Sequence, residues 1–200
     1  MKILLATGNE GKAVEVGRLL ADIGIEIVSL KSIPDIGEIV EDGLTYEENA
    51  LKKASESADR SGLITISDDS GIEVDALNGA PGIHSARFGG DERNAKEKNI
   101  KLLEMMKDVP PEKRGARFVC VAALASPKGE FPPMTFRGEY EGFITEEMAG
   151  DSGFGYDPIF LAPSFGQTFA QVGKEIKNRI SHRAIAFAKV REYLKNNPLG

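Results

Sequence analysis

Asp68 and Asp69 follow the apolar run Leu63-Ile64-Thr65-Ile66-Ser67 and precede Ser70-Gly71. The run reads as a buried strand, with Gly71 letting the chain turn behind it. Two carboxylates at such a strand end are costly unless something positive shares the site. A divalent cation held by oxygen ligands is the simplest partner, and it points to metal-assisted chemistry on an anionic substrate. Asp-Asp-Ser-Gly is also an ordinary turn sequence, so the pair needs corroboration elsewhere in the chain.

Thr7-Gly8-Asn9-Glu10-Gly11-Lys12 lies between a short apolar strand and a helix. A strand–loop–helix of this kind aims backbone N–H groups and the positive helix end at an anion, and Lys12 adds a full charge. The spacing is not that of a P-loop, and Ala13 stands where a Ser or Thr would bind magnesium. The segment reads equally as a tight turn with a solvated lysine. Ser181-His182-Arg183 opens the last helix, with Lys174, Lys177 and Arg179 just upstream. Basic residues are unfavourable beside a positive helix end, so their placement favours a bound anion, although each alone also reads as a solvated base. Phe154-Gly155-Tyr156-Asp157 sits in a Gly-rich loop, where an aromatic ring can stack on a base and an acid can accept from the base edge. A plain turn with one ring tucked inward fits the same residues. Glu38, Glu41 and Asp42 make the loop of residues 31–44 acidic, and one of them can complete a metal site with Asp68 or Asp69. Lys52 and Lys53 follow on the next helix. His84 has no spaced partner that would make it a zinc ligand and reads as structural.

These residues need a scaffold. Ile3 to Ala6 reads as a first strand, and a helix over residues 12–23 buries Val16, Leu19, Leu20 and Ile23. Gly24 is its stop. A second strand covers 25–30. Thr45 with Glu48 fits a capping box that opens a second helix through Asn49, Ala50, Leu51, Ala54 and Ala58. Ile72, Val74 and Ala76 alternate with polar residues, as in a half-buried strand after the turn. A polar helix over 91–107 turns Ala95, Leu102, Leu103 and Met106 inward. Phe118 to Ala125 is the most hydrophobic strand, and a hairpin leads from it into 131–140. The last helix buries Phe187, Val190 and Leu194. Early alternation of helices and strands with later hairpins predicts an α/β fold with a mixed sheet.

Two hundred residues suit a single domain over residues 1–200, or one core with two lobes. A net charge of −6 disfavours a nucleic-acid polymer as partner. The first apolar run is too short for a signal peptide, and no stretch is long enough to span a membrane. The single cysteine, Cys120, excludes an intramolecular disulfide and reads as inert core. These features together predict a cytoplasmic protein.

Six segments together resemble the inosine/xanthosine triphosphate pyrophosphatase (Ham) family of nucleoside triphosphate diphosphatases. They are Thr7-Gly8-Asn9-x-x-Lys12; Glu47-Glu48-Asn49-Ala50 with Lys53; Asp68-Asp69-Ser70-Gly71; Gly79-Ala80-Pro81-Gly82 with Ser85-Ala86-Arg87; Phe154-Gly155-Tyr156-Asp157-Pro158; and Lys177-Asn178 with Ser181-His182-Arg183. Each is weak alone, and six in family order are specific. One departure is Ala170-Gln171-Val172, where the family often has Ala-Glu-Leu.

The resemblance implies hydrolysis of a non-standard purine nucleoside triphosphate (ITP, dITP or XTP) to the monophosphate and pyrophosphate. A nucleotide-clearing hydrolase of similar fold with another base preference is the alternative. It also implies Mg2+, an elongated mixed sheet flanked by helices, two lobes with a nucleotide cleft between them, and a homodimer. Carried over by position, Asp69 is the proton acceptor that activates water and, with Glu41, a magnesium ligand. Asp68 supports that site. Thr7, Gly8, Asn9, Glu10, Gly11, Lys12 and Ser70 fall on the phosphate loop positions, and Lys53 faces the triphosphate. Phe154 stacks on the base, Gly155 and Tyr156 belong to the same loop, and Asp157 reads the base edge. Lys177, His182 and Arg183 contact the nucleotide near its base.

Overall fold

The structure, a computed structural model, describes residues 2–33, 36–90 and 94–197. Its sheet has seven strands: β1 (Lys2–Leu5), β2 (Glu26–Ser29), β3 (Thr65–Val74), β4 (Gly115–Ala125), β5 (Met134–Ile144), β6 (Phe160–Ala162) and β7 (Gln167–Thr168). Their order is β2-β1-β3-β4-β5-β6-β7. β1 runs parallel to both β2 and β3, with Leu5 opposite Ile66. β6 is antiparallel to β5 and to β7, so the sheet is mixed, as the order of elements along the chain predicts. The helices are α1 (Glu10–Leu19), α2 (Tyr46–Ser61), α3 (Ala95–Met105), α4 (Phe169–Val172), α5 (Lys174–Ile180) and α6 (His182–Asn196).

The chain divides into two compact units. The first comprises Met1–Asp69, Cys120–Gly138 and Arg183–Gly200; the second comprises Ser70–Val119 and Glu139–His182. Each has its own core. In the first, Ile3 and Leu5 of β1, Ile66 of β3 and Cys120, Ala122 and Leu124 of β4 pack with Val16 of α1, Leu20 at its C-cap and Phe187, Val190 and Leu194 of α6. In the second, Ile72, Val74, Phe118 and Ile144 pack with Leu102 of α3, Met106 at its C-cap, Tyr156, Phe160 and Phe169. β4 is buried almost end to end, which is why it reads as a continuous apolar run instead of an alternating one.

Several local readings change. β3 is one ten-residue strand, so Asp68 and Asp69 lie in its middle, Gly71 makes no turn, and Ile72 to Val74 continue the same strand. Residues 75–77 form a 3-10 turn, which removes Ala76 from the strand. The first helix ends at Leu19, and a 3-10 turn at Ala21–Ile23 carries the chain to Gly24, which is left-handed at φ 66°. The Thr45 hydroxyl accepts from the Glu48 N–H, as a capping box requires. The Glu48 carboxylate, however, accepts from the Leu44 N–H at 2.6 Å, one residue earlier than the motif predicts. α3 begins at Ala95 behind a complete Asn94–Glu97 capping box, and Ala95 is exposed. Residues 91–93, where the sequence places the helix start, lie outside the described residues.

Candidate active site

Successive residues of a strand point to opposite faces, and this decides the surroundings of the two acids. Ile66 and Asp68 face α1 and α6. Ser67 and Asp69 face α2, where the Ser67 hydroxyl donates to the Ala50 carbonyl at 2.6 Å.

Asp68 is 1 % exposed and meets positive charge from three sides. Lys12 Nζ donates to Asp68 Oδ2 at 2.8 Å, and Arg183 Nε lies 3.6 Å from the same oxygen. Burial pushes its carboxyl up, and Lys12, Arg183 and Lys53 more than offset that, holding it well below the usual carboxylate range. Arg183 itself is buried and bound to Glu15 Oε2 at 2.7 Å. Glu15 of α1 and Asp68 of β3 are therefore anions that can justify a basic residue at the start of α6. Cys120 Sγ lies 3.9 Å from Asp68 Oδ2, and burial followed by the Asp68 charge pushes its thiol up to about 12.

Asp69 is in a different situation. Its Oδ2 accepts from Asn49 Nδ2 at 3.1 Å, a neutral donor. Burial pushes this carboxyl up; the Asn49 bond and Lys53 oppose, and the Glu41 charge adds to the rise. Lys53 Nζ pairs with Glu41 Oε1 at 2.6 Å. Asn49 Oδ1 accepts from the Gly43 N–H at 2.8 Å, so one side chain ties the acidic loop to β3. Gly43 comes so close that a Cβ there would stand 2.8 Å from Asn49 Oδ1 and from Glu48 Cβ. Lys52, the neighbouring base, pairs instead with Asp42.

Asn9 is the N-cap of α1: its Oδ1 accepts from the Lys12 N–H at 3.1 Å, and Thr7 Oγ1 accepts from the Asn9 N–H. Gly8, Asn9 and Gly11 are exposed, Thr7 is half-buried, and a Cβ on Gly8 would meet nothing within 4 Å. The side chain of Glu10 lies outside the described residues. Ser70 is half-buried on β3, in the second unit.

The second unit holds the aromatic group. Phe154 is flanked by Gly153 (φ 82°) and Gly155 (φ 63°), left-handed positions that favour glycine. Lys177 Nζ lies 4.3 Å from the centre of the Phe154 ring and donates to Asp157 Oδ2 at 2.6 Å. The same carboxylate oxygen accepts from the Phe154 N–H. The Tyr156 hydroxyl donates to the Ser85 carbonyl, and burial pushes it well above the ordinary range. Phe154 is 38 % exposed, whereas Asp157 and Lys177 are buried and neutralise each other. His182 stacks on Phe118 at 4.7 Å between ring centres. Lys174 and Arg179 are exposed, so the basic cluster read from the sequence resolves into one inward lysine and two solvated bases. Gln171 completes a capping box with Thr168, a task an amide performs as well as the carboxylate it replaces.

Sequence reasoning missed Glu15 and Asn49 as site residues. Glu15 had a signal: it lies within the apolar side of α1, next to Val16 and four residues before Leu19, where a charge must have a partner. Asn49 had none beyond its place in a motif.

Adjacent acids in the middle of a sheet strand with lysines against them, and a half-exposed ring beside a lysine, are the kinds of group a nucleotide-handling enzyme needs. The Ham1 family model matches residues 3–193, and the chain belongs to that family. It is 47 % identical over 194 residues to a dITP/XTP pyrophosphatase of Desulforamulus reducens, covering 97 % of this chain and 96 % of the relative. A dITP/XTP pyrophosphatase of Shigella flexneri is 46 % identical, with 98 % of each chain covered. A HAM1 protein from Coxiella burnetii superposes with a TM-score of 0.91 at 37 % identity, covering 98 % of this chain and all of that one. No helix among the described residues is long and apolar enough to cross a membrane.

Proposed function

We propose that this chain hydrolyses dITP, ITP and XTP between the α- and β-phosphates, releasing the nucleoside monophosphate and pyrophosphate. The observation that carries the mechanism is the environment of Asp69. It is a nearly buried carboxylate with a neutral hydrogen-bond donor, raised proton affinity and lysines at hand. Held there, the carboxylate can accept a proton from water; a divalent cation bound to it would lower its proton affinity.

Glu41 and Asp69 supply hard oxygen donors, and their mutual repulsion is part of what raises the Asp69 proton affinity. That donor set fits Mg2+, which is usually held by one or two carboxylates together with waters and substrate phosphates. Bound there, the ion would draw charge from the phosphates. Lys12 and Lys53 carry the remaining neutralisation, and Asp68 fixes the Lys12 ammonium. Asn49 orients Asp69 towards its water.

Phe154 offers a stacking face for the purine. Lys177, held by Asp157 beside that ring, is placed to donate to a C6 keto oxygen, which inosine and xanthosine carry and adenosine lacks. A hydrogen-bonding site can discriminate by about 10⁴ or more in favourable cases. We further propose that the working form is a cytoplasmic homodimer.

The test is a substrate panel with Mg2+ and product identification. Pyrophosphate is expected from dITP, ITP and XTP, far faster than from ATP or GTP. Equal rates on all five would refute the base preference, and release of single orthophosphates would refute the bond assignment.

A further inference from the structure

We propose that Asn99 of α3 is a positioning residue for the Phe154 ring. The proposal rests on the reading of Phe154 as the stacking face for the base.

Asn99 is 1 % exposed, on a helix whose other buried side chain is Leu102. Its Nδ2 donates to the Gly155 carbonyl at 3.1 Å, across 56 residues of sequence. Among the described residues its Oδ1 has no hydrogen-bond partner. A buried amide oxygen left in that state is unfavourable, so packing alone does not explain an asparagine here. What the residue gains is one bond, and that bond falls on the carbonyl of Gly155, the residue after Phe154.

The loop needs it. Gly153 and Gly155 give the backbone on both sides of Phe154 more conformational freedom than any other residue would. Phe154 is tied through its N–H and its carbonyl to Asp157 and through its ring to Lys177, Tyr156 through its hydroxyl to Ser85 and its carbonyl to the Ile159 N–H, and Asp157 through Lys177. Gly155 has no side chain, so its carbonyl is the handle left, and Asn99 holds it. With that bond gone, the ring must be ordered when the base arrives. Ordering one residue's backbone costs about a factor of ten in affinity.

The experiment measures binding by calorimetry to the full chain, with inosine monophosphate as a base-bearing probe and inorganic pyrophosphate as a probe without a base. Wild type is compared with Asn99→Asp, Asn99→Ser and Phe154→Ala, with melting curves for each; the serine variant serves if the aspartate variant does not fold. Asn99 variants are expected to bind the monophosphate about tenfold more weakly and pyrophosphate within twofold of wild type. Two results overturn the proposal while leaving the stacking role intact. One is a Phe154→Ala that loses monophosphate affinity beside Asn99 variants that keep it. The other is an equal loss for both probes. A Phe154→Ala that keeps full monophosphate affinity refutes the stacking role itself, and the proposal with it.

Discussion

Replacing Arg183 with methionine tests the charge assignment in the first unit. The guanidinium is buried, its Nη1 lies 2.7 Å from Glu15 Oε2, and its Nε lies 3.6 Å from Asp68 Oδ2. Methionine keeps much of the volume and removes the charge. Asp68 would retain Lys12 at 2.8 Å, so the carboxylate left without its guanidinium is chiefly Glu15, which is 4 % exposed. Breaking a buried pair from one side costs about 3–5 kcal/mol. For a chain of this size each kcal/mol lowers the melting temperature by about 2–4 °C, so the expected drop is about 6–20 °C. The double variant Glu15→Leu/Arg183→Met should lose much less than the sum of its parts, with a coupling of about 2 kcal/mol or more. Urea and thermal unfolding of the four proteins measure this, with nucleotide affinity recorded alongside. A single variant within about 1 kcal/mol of wild type that loses nucleotide affinity would refute the buried pairing and return Arg183 to the nucleotide, where the motif places it.

Asp69→Asn should lower kcat by at least about 10²-fold while nucleotide still binds, and near-normal turnover would remove Asp69 as the base. The same variant should melt higher than wild type at neutral pH. Because the folded protein raises the Asp69 proton affinity, the stabilising form is the protonated one, and that contribution is lost as pH rises through the folded pKa; the amide never loses it. The gap between the two melting temperatures should therefore widen with pH from the acid side and then level off. Asp68 has the opposite sign: its contribution is present above the ordinary carboxylate range and is lost only in strong acid. Cys120, fully buried with its thiol pushed up to about 12, should resist an aromatic disulfide reagent at pH 8 until the protein is unfolded; rapid labelling of native protein would contradict its placement.

Most elements were legible because each depends on local pattern. The apolar stripe of α1, the cap at Thr45 and the unbroken run of β4 name their own structure. The course of β3 was not. Ser67-Asp68-Asp69-Ser70-Gly71 is composed like a turn, and what keeps it a strand is its place between β1 and β4 in the sheet, with its side chains answered by Ala50, Lys12, Asn49 and Arg183. Arg183 shows the same limit from the other side. Its position at a helix start correctly signals an anion nearby, but sequence does not reveal that the anion is Glu15. The aromatic loop was legible through Phe154 and its glycines, whereas its anchor on Asn99 depends on a contact 56 residues away.

The mid-strand position of the two acids has one more consequence. In a catalytic dyad, two carboxyl groups share a proton and titrate as one object, so that altering either alters both. Here the strand turns the two carboxyl groups to opposite faces of the sheet, Asp68 towards Lys12 and Asp69 towards Asn49, so they do not share a proton. Burial raises both carboxyls; on Asp68 the charges of Lys12, Arg183 and Lys53 outweigh it, whereas on Asp69 the Asn49 bond and the lysines do not. In the proposed reaction Asp69 would take and release the proton while Asp68 keeps its charge. Neighbours in sequence are thus displaced in opposite directions from the ordinary carboxylate value.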